Sequence, residues 1–487
     1  MLNSDSRTLT PFSTISPKEG SDQPDPAFQV TLTDDDAMNP YNISLLHKWI
    51  IVNVISQGAL CVACASSTAA FTEVGLEQEF NVSHEISILS ISLYVVGLGM
   101  GPLLAGPLSE VYGRNIIYQV SYILFFVFSW PVAFAKQISV FLIFRFVTGL
   151  CGAAFLSVAG GSVSDLFTKD KVASPMAFYT IFPFLGPVIG PLLSGFMNQH
   201  IYWRWTYYLI IIWSFVMTIT LFIFVPETYA PVILRRKAER LRKETGELRY
   251  WTEYDAAAKN LGRAILFSLK TPFQLLLTER MALFLNIWTS LMLGILYLAF
   301  QAFPIIFMDL HGFSVESTGM SFLGIGIGMV IAWVTQPLWN RRFAKIKERY
   351  AGSPPPEVHL DMGKLAGILV AISLFWLAFT SYRQVHWIVP IIASVPFGSG
   401  TMLAFNSVFT YLVTAYRPVA ASAMASNSAM RSTFAAVFPL FAQPMYMKLG
   451  TVGATALLGG LATLMSPLPF IFSRIGGRLR TKSRFAA

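Results

Sequence analysis

The segment ISILSISLYVVGLGMGPLLAGPLSEVYGR, residues 86 to 114, has no charged side chain before Glu110 and then turns at Gly113 and Arg114. A helix needs about 20 apolar residues to cross a hydrocarbon core that is about 30 Å thick. Segments of this kind recur along most of the chain after residue 48. The sequence therefore predicts an all-α membrane protein.

The composition supports this fold class. Of the 487 residues, 54% are hydrophobic and 13% are charged, whereas soluble globular proteins have about 25% charged residues. The net charge of +9 is explained by the distribution of Lys and Arg across a membrane, so no nucleic-acid partner is predicted. Cys61, Cys64 and Cys151 lie inside apolar runs, which predicts neither a disulfide framework nor a metal site.

Twelve apolar segments form two groups of six, separated by a polar stretch. They lie at about 49–73, 86–106, 115–135, 138–165, 175–197 and 203–225, then 281–309, 318–339, 363–381, 387–414, 423–447 and 451–473. They predict two pseudo-symmetric six-helix bundles. The predicted domains are a disordered cytosolic tail (1–48), a first bundle (49–225), a cytosolic linker with a basic amphipathic helix (226–280), a second bundle (281–473) and a cytosolic tail (474–487).

The distribution of Lys and Arg predicts the orientation. If the N-terminus is cytosolic, 29 of the 35 Lys and Arg residues lie on the cytosolic side, four lie outside, and Arg145 and Arg431 lie within the spans. Positive loops stay cytosolic, so both termini are predicted to be cytosolic. We expect the plasma membrane, with the vacuolar membrane as the alternative, and a monomer without cofactors.

Similar motifs occur at equivalent places in the two halves. Residues 173–177 (ASPMA) match residues 421–425 (ASAMA), and residues 97–100 (GLGM) match residues 326–329 (GIGM). Repeated halves of this kind are typical of transporters whose binding site lies between the repeats near the middle of the membrane. Motifs of membrane enzymes, such as His-Glu-x-x-His or Gly-x-Ser-x-Gly, do not occur in the sequence. We therefore expect a transporter and not an enzyme.

Two motifs contain residues suited to conformational change. In the turn at 106–114, Gly106 and Gly113 permit close helix approach, and Glu110 and Arg114 can form charge pairs or cap helices. The alternative is a generic tight turn. The fifth span is predicted to form a shaped packing seam between the halves through Gly186, Pro187, Gly190 and Pro191. The alternative is a kinked helix without a gating role.

Arg145 is predicted to lie about 10 Å from the outer end of the fourth span, where a guanidinium is energetically expensive. A functional interpretation is that it binds an anionic group or sets the pKa of a nearby acid. The alternative is a structural role, in which it donates hydrogen bonds to carbonyls of neighbouring helices.

Several motifs together resemble the major facilitator superfamily, specifically its fungal twelve-span drug:proton antiporter branch. They are GPLSEVYGR (106–114), the segment around Arg145, GPVIGP (186–191), PETYAPVILRRKA (226–238), NPYN (39–42), TPF (271–273), PPE (355–357) and PLF (439–441). The resemblance implies a rocker-switch transporter that exports small organic molecules, usually driven by protons moving inward. It assigns gating to Glu110 and Arg114, a proton-relay or cavity role to Arg145, and the antiporter hinge to Gly186, Pro187 and Gly190.

The sequence departs from the pattern of this branch at three places. Thr414 stands where an acidic residue is common, His359 stands where Arg is common, and the pair Asp170–Lys171 stands where Glu-Arg is common. These departures affect the predicted latch on the cytosolic side of the second half.

Acidic residues are scarce within the predicted spans. Only Glu73, Asp165 and Asp309 lie at span ends, and none lies near the middle of the membrane. Two interpretations stay open: one of these acids couples proton transport through Arg145, or the protein is a uniporter or an exchanger of organic anions that uses Arg145 and Arg431. Because no deep carboxylate is present, neutral amphipathic or anionic cargo is expected rather than polycations.

Polar side chains within the spans are further candidates for the cavity wall, although each could instead form an interhelical hydrogen bond. They are Asn53, Gln57, Asn286, Tyr297, Gln301, Asn406 and Asn427. Asn81, in the sequence Asn-Val-Ser, is a predicted glycosylation site in the first outer loop.

Overall fold

The computed structural model describes residues 26–33, 36, 38–168, 171–253, 261–350, 354–481, 483 and 485–486. Most of the N-terminal tail, for which disorder was predicted, lies outside the described residues. Asp170 and residues 254–260 of the predicted linker also lie outside them.

The first half of the chain crosses the membrane six times. A 3₁₀ turn (Thr68–Phe71) extends the first crossing, and three short helices, α5 to α7, together make the fourth. The helices are α1 (Leu45–Ser67), α2 (Glu73–Phe80), α3 (His84–Tyr112), α4 (Arg114–Ala133), α5 (Ile138–Gly152), α6 (Ala154–Ser157), α7 (Ala159–Leu166), α8 (Ala173–His200) and α9 (Trp205–Phe224).

The second half follows a polar connection and also crosses six times. Its helices are α10 (Ala230–Thr245), α11 (Leu261–Thr278), α12 (Arg280–Phe303), α13 (Val315–Ser321), α14 (Leu323–Val334), α15 (Gln336–Arg349), α16 (Leu360–Thr380), α17 (Ile388–Ala415), α18 (Ala420–Met465) and α19 (Leu468–Arg480). A π-helical turn (Pro304–Leu310) extends α12, and 3₁₀ turns precede α16 (Pro356–His359) and α18 (Arg417–Val419).

The last two crossings form one continuous helical run in the described structure. Among the described residues, 11 helical runs are long and apolar enough to span a membrane, and the run from Ala420 to Arg480 has 61 residues. Gly450, with φ 72° and ψ 168°, interrupts it. Glycine adopts positive φ without the steric cost that a Cβ imposes. The break lies between the predicted segments 423–447 and 451–473, and the all-α fold with twelve crossings is confirmed.

The basic helix α10 contacts the start of the described chain. Lys237 forms an ion pair with Asp36, and its Nζ also donates to the carbonyl of Thr31 at 3.3 Å. The predicted basic helix is therefore present, and its basic side chains find acidic and backbone partners within the protein.

Close contacts between glycine and backbone occur at equivalent places in the two halves. A Cβ at Gly97 would overlap the carbonyl of Phe146, and one at Gly149 would overlap the carbonyl of Tyr94, so α3 and α5 touch through their backbones. In the second half α14 and α17 repeat this contact, with Gly328 against Val395 and Gly398 against Ile325. The packing thus pairs Gly97 with Gly328, whereas the sequence match paired Gly97 with Gly326, two residues earlier.

We predict that Gly149→Ala lowers the unfolding temperature of the purified protein. The added methyl group would meet the Tyr94 carbonyl, and overpacking of this kind costs about 1–3 kcal/mol. Gly460→Ala is the matched control, because Gly460 is exposed on α18 and a Cβ there meets no atom within 4 Å. Thermal unfolding in detergent measures both variants, and equal losses of stability would contradict the close packing.

Candidate functional site

The two halves meet along a seam that runs the length of the bundle. Gly99 on α3 packs against Ser432 on α18, and Ser92 Oγ donates to the carbonyl of Ala436 at 2.7 Å. We name the two ends of the bundle after residues there: the Arg114 end, where α3 meets α4, and the Glu73 end, where α1 ends. The Lys and Arg count predicts that the Arg114 end is cytosolic.

At the Glu73 end, α8 closes the seam against α13. His200 Nε2 lies 2.7 Å from Glu316 Oε2, and the backbone N–H of Val315 donates to Gln199 Oε1 at 3.1 Å. The backbones also approach closely, because a Cβ at Gly319 would lie 2.7 Å from the carbonyl oxygen of Pro191. This end of the seam is therefore closed in the structure.

Glu73 and Gln301 form a buried hydrogen bond across the same end. Gln301 Nε2 donates to Glu73 Oε1 at 2.6 Å, and each residue is 6% exposed. Glu73 begins α2, just after the first span, and its titratable neighbours are Glu77 and Tyr207. Burial raises the pKa of Glu73 to about 8, the bond from Gln301 opposes this, and the charge of Glu77 adds to it.

Tyr297, one helical turn before Gln301 on α12, makes a second bond across the seam. Its hydroxyl lies 2.7 Å from Ser66 Oγ, near the end of α1. Residues four apart lie on one face of a helix. One face of α12 therefore carries both hydrogen bonds to the first half.

Asn286 and Asn427 lie within the second half instead. Asn427 Nδ2 donates to Asn286 Oδ1 at 2.9 Å and to Thr289 Oγ1 at 2.9 Å, and Asn286 Nδ2 donates to Ser426 Oγ at 3.2 Å. Both amides are buried. They form the interhelical hydrogen bonds that the sequence left open as the alternative to a cavity role.

Arg145 lies inside the first half and is 3% exposed. Its Nε donates to the carbonyl of Ser90 at 2.8 Å and its Nη1 to the carbonyl of Ala65 at 3.0 Å, and its guanidinium carbon lies 4.3 Å from the ring centroid of Tyr94. The adjacent cavity measures about 10 Å³, room for about one water molecule. This arrangement matches the structural role that was the alternative for Arg145.

Arg431 differs from Arg145 in its partners. Its guanidinium carbon lies 5.4 Å from the Phe405 ring centroid and 5.3 Å from that of Phe409, and its buried Nε has no hydrogen-bond partner among the described residues. The titratable groups that interact with it electrostatically are the phenols of Tyr179 and Tyr297, and no carboxylate is among them. Its charge is therefore not neutralised by the described protein.

The aromatic rings beside Arg431 come from both halves. Phe184 on α8 packs against Phe405 at 4.9 Å and against Phe409 at 6.5 Å between centroids. The sequence analysis did not identify these rings. They are three of 40 phenylalanines, and apolar periodicity does not distinguish a ring at the seam from a ring in the core.

Glu227 organises the turn at the Arg114 end. Gly113 adopts φ 100°, and the Glu227 carboxylate accepts hydrogen bonds from the backbone N–H groups of Arg114 at 2.9 Å and of Asn115 at 3.3 Å. A Cβ at Gly113 would overlap that carboxylate. Glu227 lies in the segment 226–238 but is not among the residues predicted for this turn.

Arg114 pairs with Asp165 and not with Glu110. Arg114 Nε donates to Asp165 Oδ2 at 3.2 Å and Nη1 donates to Ser109 Oγ at 2.7 Å, whereas Glu110 is exposed. Asp165 is therefore held at the turn by Arg114 in this structure. The close helix approach expected at Gly106 is also absent, because a Cβ there would meet no atom within 4 Å.

The expected seam residues of the fifth span, α8, divide between two contacts. Gly186 and Gly190 pack against α1 of their own half, where added Cβ atoms would overlap Ala63 and Ser67. The expectation that they pack against the other half is wrong for these two glycines, because they lie on the α1-facing side of α8. Pro191, whose carbonyl meets Gly319, lies at the seam, and Pro187 continues the same helix.

The other predicted residues lie apart from Arg431 and from the hydrogen bonds that Glu73 and Tyr297 make between the halves. Asn53 is exposed and Gln57 is half-buried on α1, and Asn406 Nδ2 donates to Gln336 Oε1 at 3.2 Å within the second half. Asn81 is exposed and caps α2 with φ 51°. A glycan at Asn81 stays a prediction.

A family comparison assigns the fold. The model of the Major Facilitator Superfamily matches residues 55–439. The chain belongs to the major facilitator superfamily. This membership confirms the predicted class, a membrane transporter and not an enzyme.

Fungal relatives cover almost the whole chain. The chain is 41% identical over 484 residues to "Efflux pump atB" of Aspergillus terreus, covering 98% of this chain and 93% of the relative. It is 39% identical over 464 residues to "Probable drug/proton antiporter YHK8" of Saccharomyces cerevisiae, covering 94% and 90%. The predicted resemblance to the fungal drug:proton antiporter branch is therefore confirmed.

Solved structures share the fold at low sequence identity. The xylose transporter XylE from E. coli, in a partially occluded inward-open conformation, aligns with a TM-score of 0.61 at 16% identity, covering 88% of this chain and 99% of that one. A peptide transporter POT in complex with sulfate aligns with a TM-score of 0.61 at 13% identity, covering 88% and 95%.

We predict that Asp165→Asn and Arg114→Gln each destabilise the protein by about 1–3 kcal/mol, because each leaves a partly buried group without its charged partner. The double variant should cost less than the sum of the two. Thermal unfolding of the four proteins measures this coupling.

The exposed pair Arg240 and Glu244 on α10 provides the control, and neutralising both should leave the unfolding temperature unchanged. If Glu110→Gln lowers stability while Asp165→Asn does not, the assignment of Asp165 as the partner of Arg114 is wrong.

Proposed function

We propose that this superfamily member exports small organic molecules by alternating access, driven by protons that move inward. The observation that carries the proposal is the similarity over nearly the full chain to relatives named as an efflux pump and a drug/proton antiporter. A third relative, named "Major facilitator superfamily multidrug transporter mdrA", of Aspergillus fumigatus, is 37% identical over 473 residues, covering 97% of this chain and 78% of the relative.

The proposed setting is the plasma membrane, with the protein acting as a monomer and both termini in the cytosol. The excess of Lys and Arg in the loops of the Arg114 end supports this orientation. The Glu73 end then faces outward, and the structure corresponds to a state that is closed toward the outside. We propose that the two predicted domains, each with six crossings, are the units that rock against one another.

We propose Glu73 as the group that binds the proton. When the Glu73 end opens, water reaches this carboxyl group and its pKa falls toward the ordinary value of about 4.3. Closing the end buries Glu73 against Gln301 and raises the pKa to about 8. The closed state therefore binds more protons between these values, so acidification stabilises it and rising pH destabilises it.

This direction of the pH dependence, in which acidification favours closure, suits an exporter. After cargo leaves to the outside, a proton from the outer solution protonates Glu73 and favours closure of the outer end. The emptied transporter then returns with the proton on Glu73, and the cycle is completed when Glu73 releases this proton to the cytosolic side before the next cargo moves outward. Each pH unit between the two pKa values shifts the equilibrium by about 1.4 kcal/mol.

A uniporter or an exchanger of organic anions is the second candidate. Arg431 supports it, because this guanidinium interacts with no carboxylate among the described residues. The two candidates differ in their response to a collapsed proton gradient.

Paired metabolite profiling of fungal cells and medium tests the proposal. Native protein is compared with an empty vector, each with and without a protonophore, at matched membrane levels. A compound that accumulates outside only with the native protein, and loses its gradient with the protonophore, supports coupled export. A flux that the protonophore does not change would favour the exchanger.

We predict that Glu73→Gln lowers export driven by a pH gradient by about tenfold or more, because glutamine mimics the protonated acid and cannot release the proton. Exchange of labelled for unlabelled cargo, which needs no net proton movement, should persist. Glu85→Gln is the matched control, since Glu85 is an exposed acid at the same end. Native pH-driven export by the Glu73→Gln protein would exclude Glu73 as the coupling group.

A further inference from the structure

Arg431 has a charge that lacks a partner inside the bundle. A cation within the membrane is costly unless a carboxylate, carbonyl or water compensates it. Arg145 meets most of this requirement, because its Nε and Nη1 donate to backbone carbonyls, although its Nη2 has no partner among the described residues. For Arg431, no hydrogen bond or ion pair is present within the described ranges, and its Nε is buried without a partner.

The position of Arg431 places this charge at the seam. It lies about 16 Å along α18 from Ala420, which is roughly half the thickness of the hydrocarbon core. The next residue, Ser432, packs against Gly99 of the first half. Arg431 as a whole residue is half-buried, and its Nε is buried where the two halves meet.

The surroundings of the guanidinium are flat and apolar. Phe405 and Phe409 are one turn apart on α17 and lie beside it, and Phe184 reaches them from the first half. Aromatic rings stack on other rings and on guanidinium groups. A guanidinium also presents paired N–H groups that match the two oxygens of a carboxylate.

We propose that Arg431, with Phe405, Phe409 and Phe184, binds flat aromatic monocarboxylates as cargo. The carboxylate accepts hydrogen bonds from the guanidinium, and the aromatic ring stacks against the phenylalanines. A single unpaired guanidinium favours one negative charge, and the lack of a facing carboxylate within the described part of the chain disfavours cations. This inference rests on the proposed transport function and specifies its cargo.

The site involves both halves and lies beside the residues that close the outer end. Phe184 belongs to α8, and Tyr297, which interacts with Arg431, is one turn from Gln301 on α12. A cargo held between Arg431 and Phe184 therefore contacts the elements that separate when the bundle rocks.

Binding to the purified protein in nanodiscs tests the inference without any need for transport. Isothermal titration at neutral pH compares 2-naphthoate with its neutral methyl ester and with the aliphatic carboxylate decanoate. We expect 2-naphthoate to bind about tenfold or more tightly than either analogue. Equal affinity for the ester, or no binding of 2-naphthoate, would overturn the proposal.

Variants assign the binding to the site. Arg431→Gln should weaken 2-naphthoate binding about 10- to 100-fold and abolish the preference over the ester. Arg431→Lys should retain part of that preference, and Phe409→Leu should reduce the preference over decanoate. Arg383→Gln is the control, because Arg383 is an exposed arginine away from the site, and native affinity is expected.

Unfolding temperatures of all variants establish that they are folded. If the Arg431→Gln variant unfolds, the test rests on Arg431→Lys and Phe409→Leu. The proposal would be overturned if both of these variants kept the native preference for 2-naphthoate over the ester and over decanoate. Failure of the cargo inference is distinguishable from failure of the transport function. Protonophore-sensitive export of another compound, together with unselective binding here, would reject the aromatic carboxylate and leave the exporter intact.

Discussion

Hydrocarbon offers no hydrogen-bond partner, so polar groups within the spans must be satisfied by the protein or by water. Buried polar groups in the first half and at the seam illustrate that constraint. Arg145 donates to two backbone carbonyls, and Glu73 accepts from Gln301. Arg145 Nη2 and Arg431 Nε are both buried without a partner among the described residues, but Arg431 differs because none of its nitrogens has a hydrogen-bond partner there. A group that the fold leaves unsatisfied is a reasonable place for cargo, since a ligand can supply the missing partner.

Close glycine packing occurs both within the halves and between them, and the contact between the halves adds hydrogen bonds at the Glu73 end. Inside the halves, glycines bring helix backbones together, as at Gly149 against Tyr94, and such packing deforms little. Across the seam at the Glu73 end, the contacts include single hydrogen bonds, such as that between Glu73 and Gln301. Rigid units whose contact includes polar bonds at one end are suited to rocking, and a proton on Glu73 can shift the balance between closed and open states.

The sequence predicted the twelve crossings because apolar length is a local property. It also identified Glu73 and Gln301 as separate candidates, but their pairing joins residues 228 positions apart, which no periodicity reveals. The pairing of Arg114 with Asp165 could not be predicted for the same reason, because Asp165 lies 51 positions away. The rings near Arg431 could not be distinguished from core residues until the two halves were placed together.

The central claim is that protonation of Glu73 favours closure of the outer end. Spin labels at Ser83→Cys and Arg383→Cys, two exposed positions at that end in different halves, would report its opening, with Cys61, Cys64 and Cys151 replaced by alanine. We predict a short distance at about pH 6, a growing longer-distance population as the pH rises through about 8, and a Glu73→Gln variant that stays short throughout. A native distribution that does not change with pH, or a variant that follows the native response, would contradict the account.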